Sequence, residues 1–318
     1  MGRYSEFCNS HHRFVKLILL MSDAPCYLLY LAYGSEALHA EALYSLLSYY
    51  QIAKQPVQVL IYTDAPAAFQ RVLGTRPGIE YPEVSPTQWQ EWRGTSNKVY
   101  LLKIGVMGHA AQHYPGNLLF VDTDTIWQAD PEPLFQQIQQ GQYVMHVNEG
   151  RLATGNMLSR KVYKHLKGRT FSVGTHHYVI EANTMLYNSG VIGLSSTVAG
   201  QLAEVATLAD QLYATYNKHM MEQLAFSLWF ETARPVIEAA PYVVHYWNLK
   251  TVRPLLAQLL NEHSGPSLGN FYERVNELEI KQLHQSEMNY RNLPSWRRTL
   301  LKLIGRRWQL PNAMVSNK

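Results

Sequence analysis

The chain predicts an α/β protein with a mixed, mainly parallel sheet flanked by helices, and three observations carry that expectation. Short apolar runs recur, as in Cys26-Tyr27-Leu28-Leu29-Tyr30-Leu31-Ala32-Tyr33-Gly34, Val57-Gln58-Val59-Leu60-Ile61-Tyr62 and Leu118-Leu119-Phe120-Val121. Runs of this kind are those of strands covered on both faces. Segments of helical periodicity separate them, so the order is strand, helix, strand, helix, strand. Finally, 47% of the 318 residues are hydrophobic, which supports a sizeable core and argues against disorder.

The elements follow in order. Residues 1–24 are polar, contain histidines and read as a flexible leader; a catalytic domain is expected over 25–265 and a helical tail over 266–318. The first strand ends at Gly34, and Glu36 to Gln51 carries Leu38, Ala42, Leu46 and Tyr49 at helical spacing. The second strand ends at Thr63-Asp64, and a helix is predicted from about Asn97 to Ala111 before the turn Tyr114-Pro115-Gly116-Asn117. Leu134 to Gln140 predicts a short helix and Tyr143 to Val147 a strand, whereas the polar stretch 150–180 predicts a loop. Thr184 to Leu194 predicts two short strands around Asn188-Ser189-Gly190, which by itself reads as a turn. Helices are expected at 198–217 and 220–231, and a strand at Tyr242 to His245.

Charge and cysteine content exclude several classes. Lysine and arginine number 28 against 24 acids, a net charge of +4, too small to imply a nucleic-acid binder. The two cysteines, Cys8 and Cys26, form neither a disulfide framework nor a metal-ligand spacing, so a reducing compartment is expected. The apolar run Phe14 to Met21 is too short to span a bilayer and lacks a cleavage site.

The chemistry concentrates where Leu118-Leu119-Phe120-Val121 runs into Asp122-Thr123-Asp124. Carboxylates at the end of such a strand face the crevice in which open α/β sheets bind ligands. Two hard oxygen donors there suit Mn²⁺ or Mg²⁺ held together with phosphates, although Asp and Thr also simply favour turns. His245, at the end of Pro241-Tyr242-Val243-Val244-His245, is a candidate third ligand, and Lys250 beyond it could neutralise a phosphate. Asn188 offers hydrogen bonds to sugar hydroxyls, Glu222-Gln223 opens an apolar helix, and Arg93, Lys98 and Lys103 precede the acidic strand, where they could face a diphosphate.

Taken in order, Val121-Asp122-Thr123-Asp124, Tyr187-Asn188-Ser189-Gly190-Val191, Glu222-Gln223 and the His245–Lys250 block resemble GT-A glycosyltransferases, above all glycosyltransferase family 8, over roughly residues 26–250. The resemblance implies a GT-A type Rossmann-like sheet, an Mn²⁺ (or Mg²⁺) cofactor and a nucleotide-sugar donor. By that likeness Asp122, Asp124 and His245 are the metal ligands, and Asp122 also meets the ribose. Ala32 and Tyr33 receive the uracil ring; Lys103 with Arg93 upstream meets the donor, and Lys250 holds the diphosphate. Asn188, Glu222 and Gln223 stand at the sugar and the reacting centre. The chain departs from the family in lacking Gly-x-x-Lys-Pro-Trp after His245 and in having Glu rather than Asp at 222.

The expected activity is transfer of a hexose from a UDP-sugar to a hydroxyl acceptor with retention, in cell-surface glycan synthesis on a carbohydrate or lipid-linked acceptor. Two alternatives stand beside it. A haloacid-dehalogenase-type phosphatase also places Asp-x-Asp after an apolar strand, with the first Asp as nucleophile. A catalytically silent sugar-nucleotide or glycan-binding protein could use the same fold. From Pro294 onward, Trp296, Leu300, Leu303 and Ile304 fall on one helical face and Arg297, Arg298, Lys302 and Arg306 largely on the other. Such a helix either lies in a membrane interface or packs its apolar face on the domain; the first reading puts a cytoplasmic protein at the inner face of the membrane.

Overall fold

The computed structural model describes residues 24–74, 76–231, 235–262 and 268–311, and the expected leader lies outside them but for Ala24. Strand β1 (Cys26–Ala32), helix α1 (Glu36–Ile52), β2 (Gln58–Thr63), α2 (Pro66–Leu73) and β3 (Ile79–Glu80) form a parallel unit. Ser35 starts α1 by accepting the Leu38 amide at 3.4 Å. Next come α3 (Pro86–Glu91), a 3₁₀ turn at Val99–Leu101 and α4 (Leu102–His113). The predicted start of α4 at Asn97 is corrected: Asn97 has φ 50°, a left-handed backbone that ends rather than propagates a helix.

Strand β4 (Asn117–Val121) lies parallel to β1, and β5 (Thr125–Trp127) leaves the sheet after the acidic turn. Then follow α5 (Glu132–Gln139), β6 (Tyr143–Arg151), α6 (Met157–Leu166), the hairpin β7 (Thr170–Val173) and β8 (His176–Val179), and β9 (Met185–Ser195). The loop expected over 150–180 is thus largely regular structure. Asn156 caps α6, and Val162, Leu166, Phe171, Val173 and Tyr178 are buried in a core whose spacing the polar surface residues obscure. The turn expected at Asn188-Ser189-Gly190 is also corrected, since all three lie inside the continuous strand β9. There β9 pairs with β6 through register shifts between Met145 and Val147 and between Asn148 and Gly150, so the turn-forming residues serve a bulged strand instead.

Helices α7 (Leu202–Thr215) and α8 (Met221–Glu231) precede β10 (Val236–Glu238) and β11 (Val243–His245). The chain closes with α9 (Arg253–Glu262), α10 (Leu268–Asn276), α11 (Ile280–Arg291) and α12 (Ser295–Leu303). The main sheet has seven strands in the order β10-β6-β9-β4-β1-β2-β3, all parallel to their neighbours except β9, which runs antiparallel to β4 and β6. This is the mixed, mainly parallel sheet predicted, with helices on both faces.

Alternation along β1 divides the core. Tyr27 and Leu29 point into the cluster formed with α4, α7 and α8, while Leu28, Tyr30 and Ala32 point into the cluster formed with α1, α2 and α9. Each buried leucine of this kind contributes about 2 kcal/mol of transfer free energy. Phe271, Val275, Ile280 and Leu283 of α10 and α11 belong to the second cluster, so these helices pack on the sheet domain. Helix α12 buries no residue at all.

Candidate active site

The acidic turn sits where β4, running parallel to β1, leaves the sheet. The Asp122 amide still donates to the Gly190 carbonyl at 2.8 Å, and Thr125 Oγ1 closes the turn onto the Asp122 carbonyl at 2.8 Å. Strand β5 then pairs antiparallel with β11 so that Thr125 faces His245, and the Tyr246 amide donates to the Asp124 carbonyl at 2.9 Å. A three-residue ladder therefore brings together carboxylates and an imidazole more than a hundred residues apart. One ligand atom from each of Asp122, Asp124 and His245 lies within 4.8 Å of the others.

His245 is fixed from both sides. Its Nδ1 stands 2.9 Å from Asn188 Oδ1, which also accepts the Gly190 amide at 2.9 Å and so is committed as an acceptor. Nδ1 is then the donor, and Nε2 is directed at Asp124 Oδ1 (3.1 Å) and Asp122 Oδ2 (3.8 Å). Gly190 makes room for this ring, because a Cβ there would lie 2.1 Å from His245 Nδ1. Burial disfavours the charged imidazole, but the Asp124 carboxylate outweighs it and raises the pKa. Burial likewise opposes the Asp124 charge, yet His245 and Arg253 hold its pKa at about 2. Two carboxylates and an imidazole with its outward nitrogen aimed at them make a donor set that fits Mn²⁺ or Mg²⁺.

A second layer surrounds this set. Lys103 of α4 reaches Asp122 Oδ1 at 3.0 Å and the Ser189 carbonyl at 2.8 Å, with Glu222 Oε1 at 3.7 Å. Burial works against its charge, but Asp122 and Glu222 prevail and its pKa is raised. Burial pushes Glu222 up to about 7 although Lys103 opposes the shift, and Ser189 Oγ donates to it at 3.1 Å. Glu222 Oε1 is buried without a hydrogen-bond partner among the described residues. Asn188 and Gln223 each donate a side-chain amide to one oxygen of Glu149, both at 3.0 Å.

Behind Asp124 lies an ion pair between buried Glu41 and half-buried Arg253 that bridges α1 and α9. Arg253 Nε donates to Glu41 at 3.0 and 2.9 Å, and its Nη2 reaches Asp124 Oδ2 at 3.4 Å. Thr123 Oγ1 donates to Glu41 at 3.3 Å. Burial and the Asp124 charge push Glu41 up to about 7 against the pull of Arg253. His146 stands edge-on to His245 at 5.3 Å and donates Nε2–H to the Val243 carbonyl at 3.0 Å. Burial and the neighbouring His245 lower its pKa to about 3, so it packs there as a neutral ring.

The remaining predicted residues spread outward. Ala32 is buried at the end of β1, beside Tyr33, whose ring lies 4.5 Å from that of Trp89. Arg93 is half-buried in the loop after α3, and Lys98 Nζ lies 5.9 Å from the centre of the Tyr213 ring. Lys250 opens a 3₁₀ turn, is exposed and makes no ion pair among the described residues. Asp210, the one aspartate after Asp130, accepts from Thr95 and Ser96 at 2.8 and 3.1 Å and takes no part in the acidic cluster. Glu41, Glu149, His146 and Arg253 escape sequence reading. Glu41 does leave one trace, as an acid inside an otherwise buried helix face from His39 to Tyr49.

No protein-family model matches the chain, and no curated protein matches it. Several solved structures are similar to it over part of its length. Mouse xyloside xylosyltransferase 1 is 15% identical, with TM-score 0.47, over 67% of this chain and 84% of that one. The galactosyltransferase LgtC, solved with donor and acceptor sugar analogues, is 12% identical with TM-score 0.44, over 67% and 73% of the two chains. The glycosyltransferase GlyE of Streptococcus pneumoniae TIGR4 is 10% identical with TM-score 0.44, over 81% of this chain and 64% of that one.

Proposed function

We propose that this chain is a metal-dependent GT-A glycosyltransferase that moves a sugar from a nucleoside-diphosphate donor, a UDP-sugar, to a hydroxyl acceptor. The observation that carries the reading is the convergence of Asp122, Asp124 and His245 within 4.8 Å at the strand ends, with Lys103 and Asn188 fixed against them. Open parallel sheets bind nucleotides at this place, and two carboxylates with one imidazole favour Mn²⁺ over Mg²⁺. A bound divalent ion would screen the diphosphate and stabilise the charge that grows on it as the sugar leaves.

The chain's own groups do the rest. Lys103 places a fixed cation beside Asp122, on the side where diphosphate charge would build up. Asn188, Gln223 and Glu149 form a hydrogen-bonded wall of two amides and a carboxylate, suited to sugar hydroxyls. Glu222, with its pKa raised to about 7, is held by Ser189 and is poorly placed as an ionised nucleophile. Within the retaining reading, that favours the route in which a leaving-group oxygen takes the acceptor proton on the same face over one through a covalent Glu222 intermediate. The phosphatase alternative needs later acids free to hold a metal beside its nucleophile, whereas Asp210 is engaged elsewhere and Glu222 faces Lys103 and Ser189.

The tail supports a location. With Trp296 64%, Leu300 51%, Leu303 79% and Ile304 55% exposed beside arginines and a lysine, α12 has the composition of a helix lying in an anionic membrane interface. We place the enzyme there, working on lipid-linked or other cell-surface acceptors. No described helix is long and apolar enough to cross a membrane.

A panel of nucleotide sugars screened for Mn²⁺-dependent hydrolysis tests the reading. Turnover of one UDP-sugar that disappears on chelation is the expected result. Tight binding of UDP and Mn²⁺ without hydrolysis of any donor would identify a silent binding protein instead. Release of inorganic phosphate from simple esters would revive the phosphatase.

A further inference from the structure

A second site lies outside the acidic cluster, in the terminal segment. An open cleft of about 360 Å³ is lined by Tyr290, Ser295, Arg298, Thr299, Lys302 and Arg307. Ser295, Arg298, Thr299 and Lys302 stand at i, i+3, i+4 and i+7 and share one face of α12. Tyr290 comes from the last turn of α11. Arg307 comes from the chain beyond α12, which turns back at Gly305 (φ 72°). The turn is closed by the Arg306 amide on the Leu301 carbonyl at 2.8 Å. Trp308 Nε1 then donates to Ser286 Oγ at 2.9 Å and pins the returning segment onto α11. The cleft is therefore built from three pieces of chain, of which α11 packs on the core and the returning segment is held to α11.

Its charge is unbalanced. Arg298, Lys302 and Arg307 make no ion pair among the described residues; Glu287 nearby on α11 is taken by Arg291 at 2.8 Å. Arg298 Nε is buried and has no hydrogen-bond partner among the described residues. A buried donor left unpaired costs about 1–3 kcal/mol, a cost that a ligand acceptor would remove. Three cations with the hydroxyls of Ser295 and Tyr290 around one cleft match a group with three or more charged oxygens better than a carboxylate with two. The apolar stripe Trp296, Leu300, Leu303 and Ile304 lies on another face of the same helix, exposed.

We infer that this cleft binds a phosphate group, and that the phosphate is carried by a lipid headgroup when α12 rests on a membrane. The inference extends the interfacial reading of the tail from general attraction to a defined headgroup site. Arg298 and Lys302 grip the phosphate oxygens from the helix, Arg307 closes over them, and the apolar stripe enters the bilayer beside the headgroup.

The test compares two double variants of the full chain with equal loss of charge. Arg298→Gln with Lys302→Gln empties the cleft of two cations; Arg297→Gln with Arg306→Gln removes two outside it. Co-sedimentation is measured with phosphatidylcholine vesicles containing phosphatidate, or oleate at matched surface charge, and calorimetry with inorganic pyrophosphate covers the soluble source. Diffuse attraction is worth about fivefold in affinity per charge for both variants alike. A headgroup site predicts that the intact chain prefers phosphatidate to oleate by about tenfold, and that only the cleft variant loses this preference. Pyrophosphate binding that the cleft variant alone abolishes, without any vesicle binding, would retain the phosphate site, refute its lipid source and refute the membrane reading of the tail. Equal losses in both variants, with phosphatidate and oleate bound alike, would overturn the site while leaving the membrane reading intact. Binding of neither vesicles nor pyrophosphate would overturn both.

Discussion

The acidic cluster and helix α12 both carry dense charge, and they handle it in opposite ways. Around Asp124 every charge is paired: Lys103 with Asp122, His245 and Arg253 with Asp124, Arg253 with Glu41. On α12 the apolar side chains are exposed and the cations have no acidic partner among the described residues. Buried charge must be compensated within the fold, because its desolvation otherwise costs several kcal/mol, whereas surface charge, which is all of the charge on α12 apart from the buried Nε of Arg298, is solvated at little cost. The first region should thus respond to substitution through structure and metal binding, and the second only through partners.

The largest expected effect is at the proposed metal ligands. Asp124→Ala should lower metal-dependent donor hydrolysis on the order of 10³-fold, since it removes the ligand that organises the set. Circular dichroism should show the chain still folded; full activity at saturating Mn²⁺ would dismiss the assignment. Next is Gly190→Ala, whose Cβ would meet His245 Nδ1 at 2.1 Å. Displacing that ring should weaken Mn²⁺ binding by roughly 10–100-fold, the range for disturbing a ligand's support. Unchanged Mn²⁺ affinity by calorimetry would show that His245 is not a ligand.

Arg253→Met tests the ion pair behind Asp124. It would leave Glu41 and Asp124 facing each other in the interior and should cost about 3 kcal/mol in denaturant unfolding. Adding Glu41→Gln should restore most of that loss, and failure of the rescue would deny the coupling.

The pH dependence of the metal-free protein follows from the His245–Asp124 pair. Asp124 is lowered from 3.8 to about 2, so its contribution is present above pH 3.8 and is lost as pH falls toward 2. His245 is raised above 6.5, so its contribution is fully present below pH 6.5 and is lost as pH climbs through the raised value. The wild type should therefore exceed His245→Asn in stability between about pH 4 and 6.5, by on the order of 2 kcal/mol, and lose the advantage above. Bound Mn²⁺ should reverse the trend, because it needs the unprotonated ring and binds more tightly as pH rises. A difference independent of pH would refute the pairing.

The smallest effect belongs to α12. Leu300→Ser with Leu303→Ser should change stability by less than about 0.5 kcal/mol, since both side chains are exposed. Vesicle binding should nevertheless fall sharply. A marked loss of stability would mean that the stripe packs on protein.

Local pattern made much of this legible beforehand. The apolar runs at 26–34, 57–62 and 118–121 predict three strands, which the structure sets side by side in the sheet, because burial on both faces leaves its mark on consecutive residues. Asp122 and Asp124 were visible because they follow such a run, and His245 because it ends one. The regular structure within 150–180 is hidden from the sequence because its apolar positions, Val162, Leu166, Phe171 and Val173, are thinly spread among polar residues. Asn188-Ser189-Gly190 has the composition of a turn but lies in a strand, because turn-forming residues are also what a bulged strand uses when a ring must pack against it.

By itself the sequence determined the α/β class, the acid pair and the amphipathic character of α12, since each is written in neighbouring residues. Tertiary structure alone decided that β5 pairs with β11 to set His245 against Asp124, that Glu149 joins Asn188 to Gln223, and that Arg253, rather than Lys250, touches the acids. Those contacts join residues distant along the chain. They arise from strand register and helix packing, which no short window of sequence encodes.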